Sequence, residues 1–453
     1  MDANPLRRTE VTISRQETSP RESWSIRRLP AVTQQIGAVA VGLLVLGLAS
    51  FAFLSISGRA LGPAAFAPLA TLWVILNAAG PAFFQPLEQE LGRAIAARRS
   101  HGHGSRSLFT RGCLLAAALV ILIGVTLLVF SQALADQVFD GEQALVLALV
   151  VGLAGLGAEH LTRGAFAGTE AFSRYGWQLG LDGVIRLVVT AGLALLGVET
   201  VGWYGFALAV APVLAVLATA WGLGEATEAG GPEHTWGQLV RAVAVLMVGT
   251  VFAQFVINAA PVAASVLAGP EEAARAGVFI SVLVLSRIPL FLFSAIQAAF
   301  LPGLAALAAQ GDTAGFRRRL LTVLGAVTAL AVAGLVVFVA LGPWLVALFY
   351  GQEYQTTRLD IWPLAAGAGL FMIASAMAQT LIALRAYVLS VAGWVLGTVA
   401  FLVAITVPLR LEQRVGLSFL AATLVATLWS AGALYRRMGR PLTAGSTPPP
   451  VLQ

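Results

Sequence analysis

Three short groups of ionisable residues sit where the chain is otherwise strongly apolar. They are Glu88, Glu90 and Arg93 in P-L-E-Q-E-L-G-R-A, Glu159, His160 and Arg163 in A-E-H-L-T-R, and Asp182 with Arg186 in D-G-V-I-R. A fourth position, Arg287, stands alone, with no acid within one helical turn. A charge at the centre of a membrane helix costs about 2.5 to 3.5 kcal/mol, so each of these needs a partner or a task. The spacings supply local partners: Glu90 to Arg93 is i,i+3, while Glu159 to Arg163 and Asp182 to Arg186 are i,i+4. Two readings stand side by side for Glu88, Glu90, Arg93, Glu159, His160, Arg163 and Asp182. They brace the inner helix ends as salt bridges, or they form a gate or ion-coupling cluster in which His160 or a carboxylate changes protonation.

Arg287 and Arg186 both fall near mid-bilayer when residues are counted at about 1.5 Å each from their helix ends. With Arg59 and the amides Gln254, Asn258 and Gln297, they are candidates for lining a polar path. Arg287 either meets an anionic substrate or pairs across the molecule with Asp182 or Glu159. No catalytic constellation accompanies them: there is no H-E-x-x-H, P-loop or G-x-S-x-G, so no enzyme activity, cofactor or metal site is expected. The four His are scattered, and Cys113 is the single cysteine.

The elements that must position these groups are membrane helices. At 58% apolar and 11% charged residues, with mean hydropathy +0.84, the 453-residue chain lies far outside soluble composition. About 20 apolar residues cross a bilayer, and that ruler predicts twelve spans, the first at 36–57 and the last at 414–435. All 28 basic residues are arginine. They gather in alternate loops, notably Arg93 to Arg111 and Arg317 to Arg319, which predicts cytosolic termini and contact with anionic lipids, and argues against nucleic acid. The stretch 1–35 reads as a basic disordered cytosolic tail, 36–223 and 238–437 as two six-helix lobes, 224–237 as a cytosolic linker and 438–453 as a second cytosolic tail.

Two lobes are expected because the chain repeats itself. Pro81 and Gln89 recur as Pro289 and Gln297 and Arg111 as Arg319, each 208 residues on, and Trp177 recurs as Trp394, 217 residues on. Six spans per repeat put both lobes in the membrane the same way up, related by an axis along its normal. The second span carries Pro81 and Pro86, and these are expected to interrupt its hydrogen-bond ladder and turn it toward a cavity.

L-G-P at 61–63 followed by an aromatic, and P-L-E-Q-E-x-x-R-A at 86–94, resemble bacterial polysaccharide flippases of the multidrug/oligosaccharidyl-lipid/polysaccharide exporter superfamily. That resemblance, over roughly Ile36 to Arg437, implies an all-α polytopic protein of the bacterial cell membrane. It implies alternating access of two lobes and export of an undecaprenyl-diphosphate-linked oligosaccharide for cell-surface polysaccharide biosynthesis. Its partners would be the lipid-linked glycan, the anionic bilayer and other polysaccharide assembly proteins. A multidrug-type cation-coupled exporter of the same superfamily is the alternative, and a membrane glycosyltransferase or polymerase is the alternative from a different class.

Overall fold

The computed structural model describes residues 29–231, 235–267, 279, 282–283, 286, 288–350 and 356–438. Arg287, residues 268–278 and most of both predicted tails lie outside the described residues.

The protein is nearly all helix. The first helix, α1 (Leu29–Arg99), is followed by α2 (Arg106–Val129), the short α3 (Ser131–Val138), α4 (Gln143–Gly168), α5 (Phe172–Leu195) and α6 (Val201–Thr219). After a 3-10 segment, Ala220–Thr227, come α7 (Trp236–Leu267), α8 (Ile288–Gln310), α9 (Thr313–Tyr350), α10 (Arg358–Ala383), α11 (Tyr387–Ala404) and α12 (Leu411–Met438). Among the described residues ten helices are long and apolar enough to cross a membrane. The other two predicted spans correspond to α8 and to the part of α1 beyond residue 62.

The chain does not loop out between its first two spans. Helical hydrogen bonding continues through α1, and the break is a single residue, Gly62, at φ 73° and ψ 167°. That conformation is open to glycine and strained for other residues. It divides α1 into a first arm, 29–62, and a second arm, 63–99. The interruption expected at Pro81 and Pro86 is not there: the second arm remains helical through both. Each proline removes one backbone donor, and the rest of the ladder holds the turn around it.

Small residues let the helices approach closely, as lipid-embedded packing requires. A Cβ on Gly42 of α1 would strike the Gly176 carbonyl of α5, and one on Gly176 would strike the Ala38 carbonyl. Gly164 of α4 sits close to the Glu88 backbone. These contacts fix α4 and α5 against α1 and so determine which of their polar side chains meet.

The apolar cores show how the two lobes are joined. Phe53, Leu69, Leu72, Leu145 and Tyr204 form a core wholly within α1–α6. Ala260, Ala264, Phe338, Ile361 and Val415 belong to another, built by the second lobe. At the end that carries Arg98, Arg99 and Arg106, a third core mixes the lobes, with Leu87, Leu91 and Ile95 of α1 packed together with Leu239 and Val243 of α7. The lobes are therefore sealed by shared packing at the arginine-rich end, while among the described residues the other two cores each stay within one lobe.

Candidate functional site

Between the lobes lies a cleft of about 1260 Å³, larger than the roughly 300–1,000 Å³ of a drug-sized pocket. One wall is the second arm of α1, which contributes Trp73, Asn77, Gln85 and Gln89. Their spacings of four and eight residues put these on one helix face. The other wall is built by α7, α8, α10 and α11, with Thr250, Gln254, Asn258, Ser294, Gln297, Ser375, Gln379, Ser390 and the aromatic pair Phe371 and Trp394. The two rings are tilted against each other, with centroids 5.0 Å apart.

No charged side chain is among the described residues lining this cleft. Its polarity comes from seven carboxamides and several hydroxyls, which donate and accept without fixing a sign of charge. Asn258 donates to Gln254 Oε1 at 3.1 Å. Trp73 Nε1 and Gln379 Oε1, one on each wall, are buried without a hydrogen-bond partner among the described residues.

The ionisable residues gather instead in two places beside the cleft. The first is inside the amino-terminal lobe, where Glu88 receives a hydrogen bond from the Tyr175 hydroxyl at 2.7 Å and lies 2.6 Å from His160 Nδ1. Arg163 pairs with Glu159 at 2.6 Å, and Arg186 pairs with both Asp182 oxygens at 2.9 and 3.0 Å and with Ser50 Oγ at 3.1 Å. Glu159, His160, Arg163, Asp182 and Arg186 are all buried. They line a small cavity of about 160 Å³. Glu159 Oε1, Arg163 Nε and Arg186 Nε lack partners among the described residues, and the cavity is roomy enough for ordered water to serve them. Asn77 borders both this cavity and the cleft, so the second arm of α1 is the partition between them.

The second place is the seal at the arginine-rich end. Arg93 donates to Glu90 through Nε at 2.8 Å and Nη2 at 2.6 Å, a two-pronged pair inside α1. Across the seam the Tyr387 hydroxyl of α11 donates to Glu90 Oε2 at 2.8 Å, and the Arg93 guanidinium lies 5.9 Å from the Tyr387 ring centroid. Glu90 and Arg93 are both buried. Pro302 of α8 packs over Gly92 beside them.

The residues singled out from the sequence thus separate. Gln254, Asn258 and Gln297 line the cleft; Arg186 lies in the smaller cavity, held by Asp182; Arg59 is exposed at the far end; Arg287 falls outside the described residues. Glu88, Glu159, His160, Arg163 and Asp182 come together in the amino-terminal lobe, whereas Glu90 and Arg93 form the seam. Asp182 and Glu159 are occupied by Arg186 and Arg163 of their own helices. Sequence reasoning missed Tyr175, Tyr387, Gln379 and the Gln85–Gln89 pair. Of these only the i,i+4 amides on the proline-bearing span carried a visible signal.

No family model matches the chain. It is 30% identical over 445 residues to "Uncharacterized protein MT1558/MT1560" and to "Uncharacterized protein Rv1510", both of Mycobacterium tuberculosis, covering 95% of this chain and 96% of each relative. It is also 26% identical over 406 residues to "Uncharacterized protein Mb3654" of Mycobacterium bovis, covering 86% and 89%. Among solved structures, a MATE protein in complex with MaL6 superposes with a TM-score of 0.76 at 16% identity, covering 90% of this chain and 97% of that one. The Vibrio cholerae MATE transporter VcmN in its bent form gives 0.75 at 13%, covering 91% and 98%. An outward-facing multidrug resistance MATE family transporter of the MOP superfamily gives 0.72 at 14%, covering 90% and 96%. The chain belongs to the family of the Mycobacterium tuberculosis proteins MT1558/MT1560 and Rv1510, and it has the two-lobed, twelve-span fold of the MATE transporters.

Proposed function

We propose that the protein is an exporter that moves a diphosphate-linked oligosaccharide on a polyprenyl lipid from the cytoplasmic to the outer leaflet of a bacterial plasma membrane. The observation that carries this reading is the chemistry of the cleft. Carboxamides, hydroxyls and indole rings are the groups that hydrogen-bond and stack against sugar rings. A cleft for organic cations needs a carboxylate to offset the desolvated charge, and the described lining residues include none. The amides instead offer many weak, adaptable contacts, which suits a bulky glycan that must be released on the other side.

The arginine-rich end is taken as cytosolic by the charge rule, so the lobes in this state close toward the cytosol and open outward. Transport then requires the Glu90–Tyr387 seam to part and the far ends of the lobes to meet. With no nucleotide-binding motif in the sequence, the drive comes from an ion gradient, from the substrate's own gradient or from assembly partners that consume it outside.

The test is transport by the purified protein in vesicles, offered a short polyprenyl-diphosphate-linked oligosaccharide, the same lipid without sugar, and an organic cation. Protein-dependent appearance of the glycan in the opposite leaflet, with slower movement of the bare lipid, supports the reading. Uptake of the cation with no glycan movement overturns it in favour of the multidrug-type exporter.

A further inference from the structure

Three hydroxyl groups on the second lobe's wall of the cleft already have their protons committed. Thr250 donates to the Leu246 carbonyl of its own helix at 3.0 Å, and Ser294 donates to Leu290 O at 2.9 Å. Ser390 of α11 donates across to the Ala378 carbonyl of α10 at 3.3 Å. A hydroxyl whose proton is committed keeps its lone pairs, so each of these oxygens meets a ligand as an acceptor. Gln379 adds a stronger demand. It lines the cleft at 4% exposure, and its Oε1 has no hydrogen-bond partner among the described residues. A buried carbonyl oxygen left without a donor is destabilising, and a ligand that brings an O–H or N–H removes that penalty.

Gln379, Ser390 and Thr250 come from three helices and meet at one level. Ala378, which receives the Ser390 proton, precedes Gln379 in the chain. A Cβ on Gly249, next to Thr250, would stand 2.9 Å from the side chain of Val391, next to Ser390. About two turns farther from the arginine-rich end, on the same face of α10, is Phe371. It is set against Trp394 of α11, with the two rings tilted by 44°. The wall thus carries an acceptor-rich patch beside an apolar corner, and both line the cleft.

An uncharged sugar suits both parts. Its hydroxyls donate to Gln379 Oε1 and to the Ser390 and Thr250 oxygens, its C–H face packs against the rings, and the Gln379 N–H groups are available for a sugar oxygen. A hexuronate brings a carboxylate with no proton to give. Facing these acceptors, with no cationic side chain among the described lining residues, it would lose water without compensation.

We infer that Gln379, Ser390 and Thr250, with Phe371 and Trp394, form a subsite that takes one uncharged sugar unit of the substrate and disfavours an acidic one. The inference rests on the proposed reading that a lipid-linked oligosaccharide enters the cleft, and it adds which wall reads the sugar and which sugars are accepted. Discrimination comes from the acceptors, because a site whose buried polar groups require donors rejects a ligand that lacks them.

The experiment titrates the full-length protein, in phosphatidylcholine nanodiscs, with a polyprenyl diphosphate carrying a neutral dihexose, with the same lipid whose outer hexose is replaced by a hexuronate, and with the bare lipid. The wild type is expected to bind the neutral glycan lipid at least about tenfold tighter than its uronate counterpart. Gln379→Met and Thr250→Val keep side-chain size and remove an acceptor; each weakens the neutral glycan lipid about three- to tenfold and narrows that ratio. Thr322→Val, the same change at an exposed position of α9, leaves it unchanged. If Gln379→Met does not fold, Thr250→Val and the wild-type comparison decide. Uronate lipid bound as tightly as the neutral one by the wild type, or a ratio unchanged in every folded variant of the two, overturns the subsite and leaves the proposed function standing. Neither glycan lipid binding tighter than the bare lipid removes the proposed function and the subsite with it.

Discussion

Glu170 and Arg385 occupy equivalent places in the two lobes, 215 residues apart, with φ of 60° and 56°. Each follows a 26-residue helix, α4 or α10. Each is followed by a residue whose N–H returns to a carbonyl five positions back, Ala171 to Phe166 O and Ala386 to Leu381 O, both at 2.8 Å. The helix end is the same device twice, with an acid in one lobe and an arginine in the other where glycine fits without strain.

Glu170→Gly therefore stabilises the protein, by about 1 kcal/mol, because glycine takes a positive φ at no steric cost. Thermal unfolding in detergent checks this, with Glu170→Ala as the comparison, since alanine keeps the strain. A lower melting temperature for the glycine variant than for the alanine variant contradicts the backbone account.

Tyr387→Phe keeps the ring beside Arg93 and removes the hydrogen bond to Glu90 that crosses the seam. A hydrogen bond to a charged group contributes about 1.5 to 3 kcal/mol, so the population open at the arginine-rich end rises at least about tenfold. A cysteine introduced at Gln89 in a Cys113→Ser background then reacts faster with an impermeant reagent applied from that face. Unchanged reactivity shows that the seam is held by apolar packing alone.

Asp182 and Arg186 form a buried pair, so removing one partner leaves an uncompensated charge and costs about 3 to 5 kcal/mol. Asp182→Asn and Arg186→Gln each lower thermal stability strongly, and the double variant recovers much of the loss. Additive losses in the double variant mean that the two residues act through separate partners.

The spans were legible because hydropathy is a local property, and so were the pairs Glu90–Arg93, Glu159–Arg163 and Asp182–Arg186, whose members share a helix. The partners that give these pairs their setting were not. His160 meets Glu88 across 72 residues and Tyr387 meets Glu90 across 297, and nothing local records which helix faces which. The prolines drew attention to the right helix but suggested a break within it, whereas the hinge is Gly62, one residue before Pro63 in the L-G-P stretch. Depth along a helix placed Arg186 at mid-bilayer, but depth carries no azimuth, and the side chain turns into its own lobe instead of the cleft. The amides at Gln254, Asn258 and Gln297 were found because polar residues are rare in such runs; Gln379 was passed over in a helix with many small residues.

The cleft between the lobes is the claimed transport path, and side-specific labelling during transport tests it most directly. A cysteine at Gln297 in the Cys113→Ser background, in vesicles with the lipid-linked oligosaccharide supplied on the arginine-rich side, is probed with impermeant reagents from each face. The account predicts reaction from the far face without substrate, and from both faces in alternation while glycan crosses, with modification stopping transport. Transport that proceeds at full rate after complete modification, or a cysteine that never becomes reachable from the arginine-rich face, contradicts it.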